Sequence, residues 1–413
     1  MITLIEALHY RSLRYVSQHM ESFHALIGPN ASGKSTFLDV VCFLHDIVAN
    51  DIDFAFSSRQ VYDIMELLWN GQGSCFELAI EVLVPEKLRS ANYQTLRYEV
   101  QIGIQNDEPG ILEERLFFKH DTPVVPRQLS LFPELKQATP QSIVQGGKIK
   151  GTRAILTKSS GLDRFYRERG RSDGKGWFPA FRLGPKRSVF SSLYEDTSRF
   201  PASLWFKQLL TDGVQPFVLD SRQLRKPSPP NLRKGFRTDG SNLPWMIAEL
   251  TKNNKESFLS WIEHIRTALP DLKTISTIER PEDKHCYLKI HYTNGCEVPS
   301  WLVSDGTLRL LALTLPAYLS DLDGVYLIEE PENGIHPSAM KTVTDSLQSV
   351  YSAQVLLATH SPVVVSELEP ENVLCFGKAS DGSTDIIRGT EHPRLREWQG
   401  SPGLDTLFAG GVL

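Results

Sequence analysis

Nine consecutive residues, Gly28-Pro29-Asn30-Ala31-Ser32-Gly33-Lys34-Ser35-Thr36, constrain this chain more than any other stretch. They fill every fixed position of the pattern GxxxxGK[ST]. Ahead of them the apolar run Phe23 to Ile27 reads as a buried strand, and behind them an amphipathic pattern predicts a helix through about Val48. Gly28 and Gly33 let the backbone curl so that successive N–H groups point inward at an anion, and the helix N-terminus adds its partial positive charge. Lys34 is placed to reach β- and γ-phosphates, Ser35 to ligate Mg²⁺ and Thr36 to bond an α-phosphate. Pro29, Asn30, Ala31 and Ser32 complete the cradle. A plain glycine turn between two core elements would give no reason for a lysine at the helix start. The expectation is a nucleotide site on an α/β fold.

The C-terminal third supplies the complementary groups. Gly324 to Glu330 reads GVYLIEE, a short apolar strand that ends in two adjacent carboxylates. In a parallel sheet such a strand is buried and delivers its last side chains to the ligand crevice. Glu329 then suits magnesium, and Glu330 suits an attacking water. A second apolar strand, Val355 to Thr359, runs into His360-Ser361-Pro362, where a sensor of the terminal phosphate is needed. Upstream, Ser304-Asp305-Gly306-Thr307 opens a helix with Ser304 as its N-cap and Gly306 allowing close approach of a ligand to the helix start.

Composition narrows the class. At roughly 150 residues per domain, 413 residues predict two or three domains. The chain is 41% hydrophobic and 23% charged, which excludes a disordered, collagen-like or disulfide-scaffold protein. A net charge of −5 provides no global drive toward nucleic acid, so any such binding needs a local patch. No apolar run approaches the roughly 18 residues that cross a bilayer, and the N-terminus has no signal-peptide core, so no membrane association and a cytoplasmic location are expected. Cys42, Cys75, Cys286, Cys296 and Cys375 include no CxxC pair, which removes zinc-ribbon and thioredoxin-like readings.

Between the two halves the character changes. Residues 75–117 alternate as strands, and 118–147 are Pro- and Gln-rich and read as a loop or hairpin. From Lys148 to Arg187 twelve basic residues face three acidic ones (Asp163, Glu168 and Asp173), with Phe165, Tyr166, Trp177, Phe178 and Phe181 interleaved. Phosphate contacts beside stacking rings suit a nucleic-acid groove. Docking of an acidic protein and a solvated basic loop are the competing readings. A second cluster, Arg222 to Lys226 before Pro227, reads as the border of a linker. Arg280 to His285 fits RxxxxH, a ribonuclease pattern that needs helices, yet here it forms a polar turn entering a strand. Glu134-Leu135-Lys136 gives ExK with no alternating strand to carry it. Intrinsic nuclease activity is not expected.

The ordered set GPNASGKST, SDGTLRLLAL, LIEEPENGIHP and ATHSP resembles the ABC-type ATPases of the SMC/RecF/OLD group, and within it the compact stand-alone bacterial AAA-family ATPases of OLD-like type. LHYRSLRYVSQHM and FRTDGSNLPWMIAEL resemble that group's first strands and its DGxNL helix start, so the resemblance covers about residues 1–50 and 237–413. It implies an α/β P-loop head of two lobes, with mixed sheets and flanking helices and a basic insertion between the ATPase segments. The expected boundaries are 1–117 (Walker A lobe), 118–236 (insertion) and 237–413 (signature, Walker B and switch histidine). The resemblance implies Walker A at Gly28 to Thr36 and Walker B at Glu329 and Glu330. It further implies a signature at Ser304 to Thr307, a switch at His360 and a D-loop through Glu332, Asn333 and Gly334. Lys34, Glu330 and His360 would be catalytic, ATP and Mg²⁺ the cofactors, and a head-to-head homodimer or higher oligomer the working state.

Departures from the family pattern carry their own expectations. Glu329 stands where aspartate is usual, and Asp305 puts a carboxylate in the signature, near the partner's nucleotide. Gln60 and Gln72 are the candidates for a Q-loop residue. No heptad segment supplies coiled-coil arms, and about 50 residues follow His360, too few for the nuclease domain of full-length OLD proteins. The expected role is ATP-dependent control of a separate effector, a nuclease or toxin, as sensor or scaffold in anti-phage defence. A RecF-like repair ATPase acting on DNA directly, through 148–187, is the rival.

Overall fold

The computed structural model describes residues 1–89, 93–120, 139–144, 151–159, 162–166, 168, 183–393 and 403–410. The chain opens with β1 (Ile2–Tyr10) and β2 (Leu13–His19), then runs through β3 (Phe23–Ile27), α1 (Lys34–Ala49) and α2 (Ile52–Ser57). β4 (Cys75–Leu83), β5 (Thr95–Gln105), β6 (Glu108–Lys119), β7 (Thr152–Ser159) and β8 (Leu162–Phe165) follow, then α3 (Pro201–Gln208). Next come β9 (Val214–Phe217), α4 (Ser221–Arg225), α5 (Leu243–Asn253), α6 (Lys255–Arg266), and strands β10 (Leu272–Glu279), β11 (Cys286–Tyr292) and β12 (Glu297–Pro299). The last part holds α7 (Asp305–Thr314), β13 (Val325–Glu329), α8 (Met340–Gln348), β14 (Gln354–Thr359), α9 (Pro362–Val365), β15 (Val373–Lys378), β16 (Thr384–Arg388) and α10 (Leu404–Ala409). No helix among the described residues is long and apolar enough to cross a membrane.

Two compact units share the chain. The first comprises Met1–Glu21, Ala31–Val214 and Phe376–Ile386, and the second Ser22–Asn30, Gln215–Cys375 and Ile387–Leu413.

The first unit is built on a seven-stranded sheet in the order β2-β1-β4-β5-β6-β7-β8, antiparallel throughout. The alternating pattern read at 75–117 produces β4, β5 and most of β6. Its polar positions, however, are not in water. Arg97 is 3% exposed and binds Glu6 at 2.5 Å, Glu81 at 3.0 Å and Glu99 at 2.5 Å. Glu77 accepts the backbone N–H groups of Ile143 (2.6 Å) and Val144 (3.1 Å), and Glu114 accepts those of Val189 (2.7 Å) and Phe190 (2.9 Å). Buried charges persist only when paired or hydrogen-bonded; neighbouring strands supply the partners of Arg97, and loops supply those of Glu77 and Glu114. Burial raises the Glu114 carboxyl above its ordinary range.

α1 also belongs to this unit, together with Ala31 to Gly33 of the loop that precedes it. Its apolar residues Phe37, Val40, Val41, Phe43, Leu44 and Ile47 are fully buried. Its polar stripe is tied down, because Asp39 accepts the Tyr10 hydroxyl at 2.5 Å and pairs with Arg59 at 2.6 Å, and Arg59 also reaches Asp46 at 2.6 Å. The helix runs one residue past the expected Val48.

A six-stranded sheet has the order β16-β15-β3-β14-β13-β9, with β15, β3, β14 and β13 mutually parallel, and β3, β14 and β13 lie wholly in the second unit. β3 and β14 are buried along their whole length, which is why each is a continuous apolar run in the sequence. Helices α5 to α9 add Trp261, Leu308, Leu311, Val343 and Val364 to the same core. A small antiparallel sheet, β10-β11-β12, packs its Ile275, Leu288 and Ile290 into it as well.

Candidate nucleotide site

The loop from Gly28 to Gly33 connects β3 to α1. Ala31 has φ 58° and Gly33 φ 102°, left-handed values that turn successive N–H groups toward the loop's concave side. Gly33 is demanded twice over. Its φ is one that side-chain-bearing residues rarely adopt, and a Cβ built there would lie 2.1 Å from Thr384 Oγ1 and 2.9 Å from Ser12 Oγ. α1 begins at Lys34 with no side-chain cap and no acidic residue in its first turn, so its positive end is not compensated from within. Lys34 is 5% exposed, with Nζ 3.5 Å from Ser32 Oγ. Ser32 is buried, Thr36 half-buried, and Pro29, Asn30, Ala31 and Ser35 are exposed. A glycine-forced concave loop, a lysine folded along it and an uncapped helix start are the donor set that phosphate groups require.

Within the second unit, parallel register brings three strand ends level. Thr359 pairs with Ile27, and Ala358 with Glu329. Gly28, His360 and Glu330 therefore leave the sheet at the same carboxyl edge, the edge where ligands bind in open α/β sheets. Glu329 is the last residue of β13 and is exposed. Glu330 has φ 48°, a strained backbone for a glutamate, of the order of 1–3 kcal/mol. Its N–H donates to Ala358 O (2.8 Å), and its carbonyl accepts the Asn333 N–H (3.0 Å). Asn333 Nδ2 donates to Glu330 Oε2 at 2.6 Å, while Oε1 lies 3.8 Å from His360 Nε2. The two sequence-nominated groups thus meet.

One further side chain completes this arrangement. Glu332 Oε1 accepts the Thr359 hydroxyl (2.8 Å) and the His360 backbone N–H (3.1 Å), fixing the strand end that carries the histidine. Its Oε2 is buried without a hydrogen-bond partner among the described residues. The resemblance implies only a place in the D-loop for Glu332. Nothing in a PEN tripeptide reveals that its acid turns back onto a strand beginning more than 20 residues later.

The segment Ser304 to Thr307 forms the N-terminus of α7. Ser304 Oγ accepts the Thr307 N–H at 3.2 Å, as expected of the N-cap. Gly306 serves an intrachain contact, since a Cβ there would stand 2.8 Å from Gly334 O. Asp305 does not project a bare carboxylate. Arg225 donates Nε (2.8 Å) and Nη2 (2.5 Å) to Asp305 Oδ1, and Nη1 (3.2 Å) to Trp301 O. The cluster read as a linker border is thus helix α4, which holds the start of α7.

Lys34, Ser35 and Thr36 belong to the first unit, and Ser304, Asp305, Gly306, Glu329, Glu330 and His360 to the second. Gln60 lies in the turn after α2 with φ 55°, and Gln72 follows the short turn Trp69–Gly71. Arg280 to His285 is the hairpin turn between β10 and β11, closed by Arg280 N–H to His285 O at 2.9 Å, so the helices an RxxxxH nuclease needs are absent around it. Of the basic segment, Lys158 is 6% exposed and donates to Gly184 O (2.7 Å) and Arg187 O (3.1 Å), and Lys186 pairs with Asp53 (3.2 Å) and Glu108 (3.1 Å). These two support local structure. Lys148, Lys150, Arg167, Arg169, Arg171, Lys175, Trp177, Phe178, Phe181, Arg182, and Glu134 with Lys136, lie outside the described residues.

Residues 23–366 match the family model described as "AAA domain, putative AbiEii toxin, Type IV TA system". A stretch of 117 residues is 30% identical to the Old nuclease of Escherichia phage P2, covering 25% of this chain and only 20% of that protein's length. Among solved structures, the Smc head bound to the C-winged helix domain of ScpA is similar over 94% of this chain and 96% of that one, at 13% identity and a TM-score of 0.53. The Smc head domain with an extended coiled coil, bound to the C-terminal domain of ScpA derived from Pyrococcus furiosus, is similar over 94% and 95%, at 12% identity and a TM-score of 0.52. At such identities the likeness is one of fold, that of an ABC-type ATPase head.

Proposed function

Because the chain belongs to this AAA-domain family, with an Old nuclease relative and the fold of an Smc head, we propose that it binds and hydrolyses ATP between two heads placed face to face, and that this cycle controls a separate effector protein. One observation carries the reading. The parallel ends of β3, β14 and β13 deliver Gly28, His360 and Glu330 to one edge, with Glu330 and His360 3.8 Å apart.

In this scheme the 28–33 loop and Lys34 hold the phosphates, and Thr36 adds a hydroxyl at the α-phosphate. Ser35 and Glu329 would hold Mg²⁺, which would supply neutralisation of charge on the transferred phosphoryl group. Glu330 orients the attacking water and takes its proton. Its strained backbone and the Asn333 hydrogen bond aim Oε1 toward His360, which senses the terminal phosphate. Ser304, Asp305 and Gly306 of a second copy close the site from the other side, so that the dimer forms around ATP and opens after hydrolysis.

The effector part of the reading draws on the toxin–antitoxin wording of the family description and on the Old nuclease relative. It places the protein as sensor or scaffold in a cytoplasmic defence module. The basic run favours a second reading, action on DNA directly, although two of its described members are engaged within the fold. The test is phosphate release and native mass for the wild type, Lys34→Ala and Glu330→Gln, followed by pull-down from the host with ATP present. Expected are turnover in the wild type alone, a dimer with ATP retained in Glu330→Gln, and a stoichiometric protein partner. Rapid turnover by Glu330→Gln refutes the catalytic assignment, and recovery of nucleic acid without a protein partner favours the direct DNA reading.

A further inference from the structure

The start of α7 contains an electrostatic contradiction. An uncharged helix N-terminus attracts a phosphate, but Asp305 stands in its first turn. A carboxylate at roughly 4 Å from a phosphate opposes binding by several-fold to many-fold even at a high effective dielectric.

The structure resolves this through a residue far away in sequence. Two guanidinium nitrogens of Arg225, Nε and Nη2, converge on Asp305 Oδ1 at 2.8 and 2.5 Å, and the third, Nη1, grips Trp301 O at 3.2 Å, just ahead of the helix. The arginine is held from its own side too. Asp220 caps α4 through the Arg222 N–H (2.7 Å), Ser300 Oγ donates to Arg225 O (3.1 Å), and Arg309 Nη2 of α7 donates to Ser221 Oγ (3.4 Å). α4 and α7 are therefore joined at both ends of α4. The charged pair itself is partly exposed, at 34% and 47% of the side chains, so it lies where a ligand can reach it.

We infer that Arg225 is a positioning residue of the nucleotide site: it neutralises Asp305 and turns that carboxylate away, so that the Ser304 to Thr307 turn can face the terminal phosphate of a nucleoside triphosphate. This rests on the ATPase reading above. It explains why an acid is tolerated in a phosphate-facing turn, and it makes Arg225 necessary only while Asp305 is negative. A merely structural arginine would be needed whatever the charge at 305.

The test is a double-substitution cycle on the full-length protein, reading kcat and KM for ATP. The proteins are the wild type, Arg225→Ala, Asp305→Asn and the double variant, with Lys34→Ala as the inactive reference. Arg225→Gln, which keeps N–H donors without the charge, is measured alongside in case the alanine variant does not fold. Removing the arginine charge in the native background is expected to lower turnover by about tenfold or more. The same change in the Asp305→Asn background is expected to cost less than about threefold. Raising salt should recover part of the loss in the native background, because screening weakens the exposed carboxylate's field. An equal loss in both backgrounds overturns the inference and points to direct phosphate contact or simple structural support. No loss in either background also overturns it. Wild-type turnover no faster than that of Lys34→Ala sinks the ATPase reading, and this inference with it.

Discussion

Gly306→Ala isolates a contact, within the second unit, between the start of α7 and the turn that braces Glu330. A Cβ at 306 would lie 2.8 Å from Gly334 O, a backbone atom with no rotamer to change. To regain an ordinary separation of roughly 3.4 Å, the carbonyl must retreat by about 0.6 Å. Overpacking of this kind costs about 1–3 kcal/mol. Against it stands the helix preference for alanine over glycine, at most about 1 kcal/mol and less in a first turn. The net expectation is a destabilisation of about 1–2 kcal/mol, or a melting temperature lower by roughly 3–6 °C for a unit of this size. The displaced carbonyl belongs to the turn in which Asn333 braces Glu330, so turnover should fall as well. Differential scanning fluorimetry and phosphate release, with Gly377→Ala as the control because a Cβ there meets nothing within 4 Å, provide the assay. If Gly306→Ala melts within about 1 °C of the wild type and turns over ATP normally, the 306–334 contact does not constrain the site and the argument fails.

Other outcomes follow from the same geometry. Glu332→Ala should leave the Thr359 hydroxyl and the His360 N–H without their acceptor, costing about 1–3 kcal/mol in a urea melt and lowering kcat more than it raises KM. Glu332→Gln keeps an acceptor oxygen and should be distinctly milder, and equal damage from both would separate the carboxylate from the positioning of His360. Gly33→Ala should weaken binding of a fluorescent ATP analogue severely, because the φ of 102° strains any residue with a Cβ and the methyl group would displace the Thr384 and Ser12 side chains; unchanged binding would mean that the loop adopts another shape. Burial pushes the Cys375 thiol up to about 12 and the Cys286 thiol up to about 11, whereas Cys296 is exposed. At pH 8 a thiol reagent should therefore modify Cys296 quickly and the two buried cysteines only on unfolding, read by intact mass. Early modification of Cys375 would contradict the packing of β15.

What the sequence determined by itself was local. The apolar runs of β3 and β14, the glycines of the phosphate loop, the helix behind it and the Ser304 cap are each set by residues within a few positions, through backbone sterics and periodic burial. Their order along the chain was enough to indicate an ATPase head. The tertiary structure decided which charges are neutral partners and which glycines are spacers. Arg225 and Asp305 are separated by 80 positions, and Glu332 and Thr359 by 27. Gly306 faces Gly334 only because α7 packs beside the turn after β13. Arg97 among Glu6, Glu81 and Glu99 looked like ordinary strand alternation, since sequence shows the period of a strand and not what covers its polar face. Electrostatic and steric contacts act over a few ångströms in space, and the sheet register, which sets those distances, is the sum of many weak preferences spread along the whole chain.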